Sequence, residues 1–154
     1  MIELGPFTKE QYEAWIPSSI ADYARENVST GRWTPQDAAA KAQEEFVSLL
    51  PQGMETPGHR FFSIIRSIDR TAVGMIWVQS GRTPGRSFIF NLEIFEPYRR
   101  RGCAEQAMRS LEDEVRRLGD SSIGLHVFGH NAPARRLYEK LGYSETNINM
   151  VKRL

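Results

Sequence analysis

Between Phe61 and Phe95 the chain carries three runs rich in β-branched and aromatic residues, separated only by turn signals, and this leaves few folds open. Phe61 to Ile68 and Ala72 to Val78 flank Asp69-Arg70-Thr71, which reads as a hairpin. A second turn at Thr83-Pro84-Gly85 precedes a strand from 87 to 95. Connections this short join neighbouring strands only antiparallel, so the middle of the chain is a meander. Its two faces need cover, and the flanking segments offer helices. Residues 2–7 read as a short first strand, after which Thr8 caps a helix over 9–27, with Pro17 expected to break or bend it. Thr34-Pro35-Gln36-Asp37 opens a second helix that runs through Ala38-Ala39-Ala40 to Leu50 and stops at Pro51. Residues 51–60 read as a loop. Beyond the meander, a helix over 102–118 places Ala104, Ala107, Met108, Leu111, Val115 and Leu118 on one face. Ser122 to Phe128 follows as a strand, Ala132 to Leu141 as a helix and Tyr143 to Lys152 as a last strand. This order predicts an α/β fold over residues 1–154 as one domain, a mixed, mostly antiparallel sheet with helices on both faces.

Composition narrows the classes. A chain of 154 residues can bury a sizeable core, and a net charge of +1 gives no global pull toward nucleic acid or an anionic membrane. No stretch approaches the roughly 18 apolar residues of a membrane span, and the first residues lack a secretory pattern. One cysteine, Cys103, forms no internal disulfide and fits a reducing, cytoplasmic setting. Three histidines and one cysteine, with no ligand spacing, imply no metal.

The stretch most specific for chemistry is Arg99-Arg100-Arg101-Gly102-Cys103-Ala104, between the strand at 87–95 and the helix at 102. The first turn of a helix has backbone N–H groups without partners and the positive end of the helix dipole. Gly102 lets an anion approach the backbone, and three arginines put positive charge at the rim, a set suited to phosphate or pyrophosphate. The same residues also fit a solvated basic turn.

Further residues decide between these readings. Arg99, Gly102 and Ala104 match the acetyl-coenzyme A signature of the GCN5-related N-acetyltransferase (GNAT) superfamily, which residues 87–143 resemble. Leu92-Glu93-Ile94-Phe95-Glu96-Pro97-Tyr98 is similar to the strand end and proline loop before that signature, with Glu96-Pro97 in the reverse of the commoner order. Asn131 and the segment 134–143, Ala-Arg-Arg-Leu-Tyr-Glu-Lys-Leu-Gly-Tyr, resemble the second landmark. Leu50-Pro51-Gln52-Gly53 and Leu125-His126-Val127-Phe128 extend the similarity to the bacterial YycN-like acetyltransferases.

The resemblance implies that acetyl-CoA is a co-substrate lying between the strands at 87–95 and 122–128. Glu93, Ile94 and Phe95 would offer an edge to its pantetheine arm, and the segment from Arg99 through Arg100, Arg101, Gly102 and Cys103 to Ala104 would cradle the pyrophosphate. Asn131 would touch the cofactor, or simply cap its helix. Tyr138 stands where the family has the phenol that protonates the departing thiolate, and a bulge would free the Ile94 N–H for the thioester carbonyl. His126 is the preferred general base, with Glu93 or water alone as the alternatives. His59 and His130 read as loop residues. No neighbouring base marks Cys103 as a nucleophile, so transfer to a primary amine by direct attack is implied.

The acceptor is open between a small molecule and a protein amine. Trp15, Tyr23, Trp33 and Trp77 suit either an acceptor pocket or the core, the 51–60 loop would shape that pocket, and the glutamates at 44 and 45 read as a solvated helix face. A non-catalytic acyl-CoA sensor on the same fold is the rival function, a longer acyl donor is a second variant, and a homodimer through sheet edges stays open.

Overall fold

The computed structural model describes residues 1–154. The elements are β1 (Ile2–Pro6), α1 (Lys9–Ser29), α2 (Ala38–Leu49), β2 (His59–Arg66), β3 (Thr71–Thr83), β4 (Arg86–Ile94), α3 (Cys103–Arg117), β5 (Ser122–Leu125) and α4 (Ala132–Lys140). Five strands form one sheet in the order β1-β2-β3-β4-β5, and β1 through β4 pair antiparallel. The meander is therefore present, extended on one side by β1 and on the other by β5. Residues 1–124 and 125–154 are two compact units, the second built around α4.

Side-chain alternation divides the sheet into two buried faces. Met75 and Trp77 of β3 and Phe61 of β2 pack against Trp15 of α1 and Phe46 of α2. The Trp15 and Trp77 rings meet edge to face at 5.8 Å, and Trp77 stacks on Phe90 at 4.6 Å. Ile76 and Val78 point the other way and are buried, as are Ala107, Met108, Leu111 and Val115 along one stripe of α3, which packs on β1 and β4. Burying each large side chain contributes about 1.5–3 kcal/mol, so these two layers carry the fold. The aromatic residues at 15, 23, 33 and 77 belong to this packing.

Several boundaries differ from the sequence reading, each for a local reason. Helix α1 continues through Pro17, which is exposed and loses only one backbone bond, because Trp15 on one side and Ile20 and Tyr23 on the other are held in the core. The Thr34 carbonyl accepts from the Ala38 N–H at 3.0 Å and its Oγ1 from the Asp37 N–H at 3.3 Å, so the cap is used but regular helix begins one turn later. Glu45 does not lie on a purely solvated face. It accepts from Tyr23 Oη at 2.6 Å and from Arg32 at 2.8 Å, which fastens α2 to the end of α1. Residues 143–152 form no strand. Ile148 and Met150 alternate as a strand would require, but both are exposed, and a strand without a partner ladder is not stable. Strand β5 ends at Leu125, three residues before the expected Phe128.

One close approach fixes the end of β4. A Cβ on Gly74 would stand 2.1 Å from the Glu93 carbonyl oxygen and 3.1 Å from the Ile94 Cα, both backbone atoms that cannot swing aside. Gly74→Ala is expected to destabilise the protein by about 1–3 kcal/mol, as overpacking does, which thermal unfolding reads as a midpoint about 2–4 °C lower per kcal/mol.

Candidate active site

The candidate site begins where β4 passes its neighbour. Strand β5 lies beside the first half of β4: the Ser121 N–H donates to the Gly85 carbonyl at 2.9 Å, Arg86 Nε to Ser122 Oγ at 3.3 Å, and Gly124 sits against the Phe88 ring. Ser87 Oγ adds a 2.7 Å bond to Asp120, pinning the turn that enters β5. With four residues against nine, β5 leaves the outer edge of β4 near Leu92 and Ile94 without a strand partner. The Phe95 N–H donates to the Val73 carbonyl at 2.9 Å. Alternation along an extended chain therefore turns the preceding Ile94 N–H to the outer edge. A bulge does occur in β4, but opposite Trp77 and Val78, with Phe90 as the extra residue. Ile94 still pairs with Gly74, so ladder alternation, and no bulge at Ile94, orients its N–H.

The loop beyond β4 has a defined shape. Arg99 Nε donates to the Ile94 carbonyl at 2.8 Å, which returns the chain onto the strand end. Arg99 is thus a fastening for the loop, whereas Arg100 and Arg101 remain exposed. Arg100 has φ 59° and Gly102 φ 76°, both left-handed, with Arg101 between them. Alternating conformations of this kind turn successive N–H groups into one concavity, a form suited to oxyanions. Gly102 then precedes α3 without any side-chain cap, and the first intrahelical bond runs from the Gln106 N–H to the Gly102 carbonyl at 3.2 Å. The Cys103 and Ala104 amides precede that bond. A pyrophosphate fits this donor set, and the Cys103 side chain is buried behind it.

Glu93 is the ionisable residue of the strand end. It pairs with Met75, so its side chain shares the face covered by α1. Burial raises its carboxyl pKa, with the charge of Asp22 adding to the effect, while Arg99 and the Trp15 indole N–H pull it back. The Trp15 Nε1 is buried without a partner of full hydrogen-bond geometry; its N–H faces the Glu93 carboxyl loosely, close enough to favour the charge.

The unit at 125–154 carries the other expected residues. His126 lies just past the end of β5, exposed, edge-on to Phe128 at 5.0 Å. Asn131 caps α4, its Oδ1 accepting from the Ala134 N–H at 3.3 Å, and that occupies the oxygen while leaving the amide group. Tyr138 is partly buried, edge-on to Tyr143 at 5.7 Å, and burial raises the pKa of its phenol.

The chain as a whole resembles one family. The model of the acetyltransferase (GNAT) family matches residues 20–143, from within α1 to just past α4. The chain belongs to the GNAT family. As a GNAT enzyme it is an acetyl-CoA-dependent acetyltransferase. It is 36% identical over 155 residues to the uncharacterized N-acetyltransferase YycN of Bacillus subtilis, covering 99% of each chain. It is 32% identical over 153 residues to the uncharacterized N-acetyltransferase YdgE of the same organism, covering 98% of this chain and 97% of that one. The crystal structure of YycN superposes with a TM-score of 0.93, covering 100% of this chain and 99% of that chain.

Within the GNAT frame, Asp22, whose charge bears on Glu93, is a residue the sequence did not single out, and His59 takes a different place from the one expected. His59, read as a loop residue, opens β2 and is buried, its Nδ1 accepting from Trp77 Nε1 at 2.9 Å. Burial and the charge of Arg82 lower its pKa, so it is a neutral Nε2–H imidazole. It lines a recess of about 340 Å³ with residues 54–58, within the loop expected to shape the acceptor side. The available signal for His59 was the exposed-type Arg60 between it and Phe61, which continues the in–out alternation of β2 by two residues.

Proposed function

We propose that this GNAT chain transfers an acetyl group from acetyl-CoA to a primary amine, small molecule or protein, by direct attack, with residues 1–154 as one cytoplasmic domain. The observation that carries this reading is the half-buried Glu93 carboxyl beside the outward-turned Ile94 N–H, next to an uncapped helix start with two left-handed residues. When bound, acetyl-CoA supplies the thioester carbon that the amine attacks. No helix is long and apolar enough to cross a membrane.

The roles follow from what each group can do. Arg100, Arg101, Gly102, Cys103 and Ala104 hold the pyrophosphate, Arg99 keeps the loop against Ile94, and the edge at Glu93, Ile94 and Phe95 aligns the pantetheine amides. The Ile94 N–H donates to the thioester carbonyl as negative charge gathers on its oxygen. Glu93 accepts the proton of the attacking ammonium, directly or through water. We assign the base to Glu93 over His126 because Glu93 directly precedes the outward-turned Ile94 N–H in β4, whereas His126 lies exposed beyond the end of β5. Tyr138 gives its proton to the sulfur as the C–S bond breaks, and burial keeps that phenol protonated at neutral pH. Asn131 holds the start of α4 and offers its amide to the cofactor.

Two variants test these roles. A base must be ionised, so kcat/KM should fall with decreasing pH through a limb set above the usual glutamate range, and Glu93→Gln should remove that limb. The sign for stability is opposite. A carboxyl whose folded pKa is raised binds more protons in the folded state, so its ionisation costs stability as pH rises through the raised pKa. Glu93→Gln should therefore raise the thermal midpoint at neutral pH and leave it unchanged under acid; a profile unaltered by the substitution would exclude Glu93 as base. Tyr138→Phe should lower kcat by about 10²–10⁴ with acetyl-CoA affinity little changed, and an undiminished kcat would remove its role as acid.

A further inference from the structure

The recess beside the start of β2 is built around a side chain that the fold leaves half used. His59 is 9% exposed and lines it with residues 54–58, Arg60 and Ser80. The space, about 340 Å³, is enough for a small molecule. An indole N–H can only donate, so the 2.9 Å bond from Trp77 Nε1 fixes a lone pair on His59 Nδ1. The ring proton therefore sits on Nε2. That atom makes no hydrogen bond to the protein and is not sealed from solvent, so it opens onto the recess. Its cross-strand neighbour Gln79 does not reach it, and Gln79 Oε1 is buried with no partner of its own. Two cations and one acid surround the free donor. The Arg82 guanidinium lies 5.8 Å from the centre of the Phe90 ring, and Phe90 in turn stacks on His59 at 5.7 Å. Arg60 and Glu55 stand on the wall, and neither arginine is held by a carboxylate. This place is well separated from the end of β4. Gln79, opposite His59, stands four residues along β3 from Met75, the partner of Glu93, which is about 13 Å of strand.

We propose that this recess is a binding site for a small monocarboxylic acid, whose carboxylate accepts from the His59 Nε2–H in the field of Arg60 and Arg82. A hydrogen bond to an ionised oxygen is roughly twice as strong as one to a neutral carbonyl, so the donor selects the acid over its amide. Met54 and Pro57 offer an apolar wall to the carbon end of the ligand, and Glu55 disfavours a second carboxylate. The ligand needs no amine and no acetyl group, so the site stands whether or not Glu93 is the base.

The test compares N-acetylglycine with N-acetylglycinamide, which differ only in a carboxylate against a neutral amide. Each is titrated into the full, isotope-labelled chain, and the Trp77 indole N–H resonance is followed by NMR. That proton reports on the recess because its acceptor, Nδ1, shares a ring with Nε2. The acid should bind about tenfold more tightly than the amide and should move the resonance. His59→Asn keeps an oxygen where Nδ1 accepts from Trp77 but has no second nitrogen on the recess, and should abolish the preference. Arg82→Gln alters only an exposed side chain, so it decides the matter even if His59→Asn fails to fold. It should reduce the preference by about two- to threefold. No binding of the acid, equal affinity for acid and amide, binding that leaves the Trp77 resonance unmoved, or a preference that survives either substitution intact overturns the site.

Discussion

The site depends on how closely the end of β4 can lie against β3. Gly74 has no side chain, so the Glu93 carbonyl and the Ile94 Cα settle where a Cβ would otherwise stand. That contact, with the bond from the Phe95 N–H to Val73, sets which way each group of the last β4 residues points. Ile94 turns its N–H to the open edge, Glu93 turns its carboxyl under α1, and the Ile94 carbonyl receives Arg99. Strand end, loop and helix start are thus linked by a few short contacts. The start of α3 inherits its position from the sheet.

Electrostatics then works against stability in the same place. A carboxyl half-buried beside Trp15 and near Asp22 costs more to ionise than one in water, and nothing in the packing of β4 requires it. The fold accommodates this because Met75, Trp77, Phe61 and Phe46 bury enough apolar surface around it. Burial also raises the pKa of the partly buried Tyr138 phenol, so under the proposed function Glu93 takes up one proton and Tyr138 gives one.

Much of this was legible in the residues. The meander followed from three β-rich runs and two turn signals, and α3 from a stripe of apolar positions at helical spacing. Arg99, Gly102 and Ala104 marked the loop through their resemblance to the GNAT signature, since the basic, glycine-containing junction by itself also fits a solvated turn. What failed was governed by tertiary contact. Pro17 does not end α1, since the core holds the helix on both sides of it. The alternation after Tyr143 does not produce a strand, since Ile148 and Met150 find no ladder. Glu45 could not be read as a tether from its own helix, because Tyr23 and Arg32 reach it from elsewhere.

The central claim is that the end of β4 and the start of α3 together hold acetyl-CoA. Amide hydrogen exchange, read residue by residue with and without acetyl-CoA, tests it most directly. Binding should slow exchange at the outward Ile94 N–H and at the Cys103 and Ala104 amides, which precede the first intrahelical bond, while the inward Phe95 N–H, already bonded to Val73, changes little. Binding that protects other amides and leaves Ile94, Cys103 and Ala104 unchanged would contradict the account.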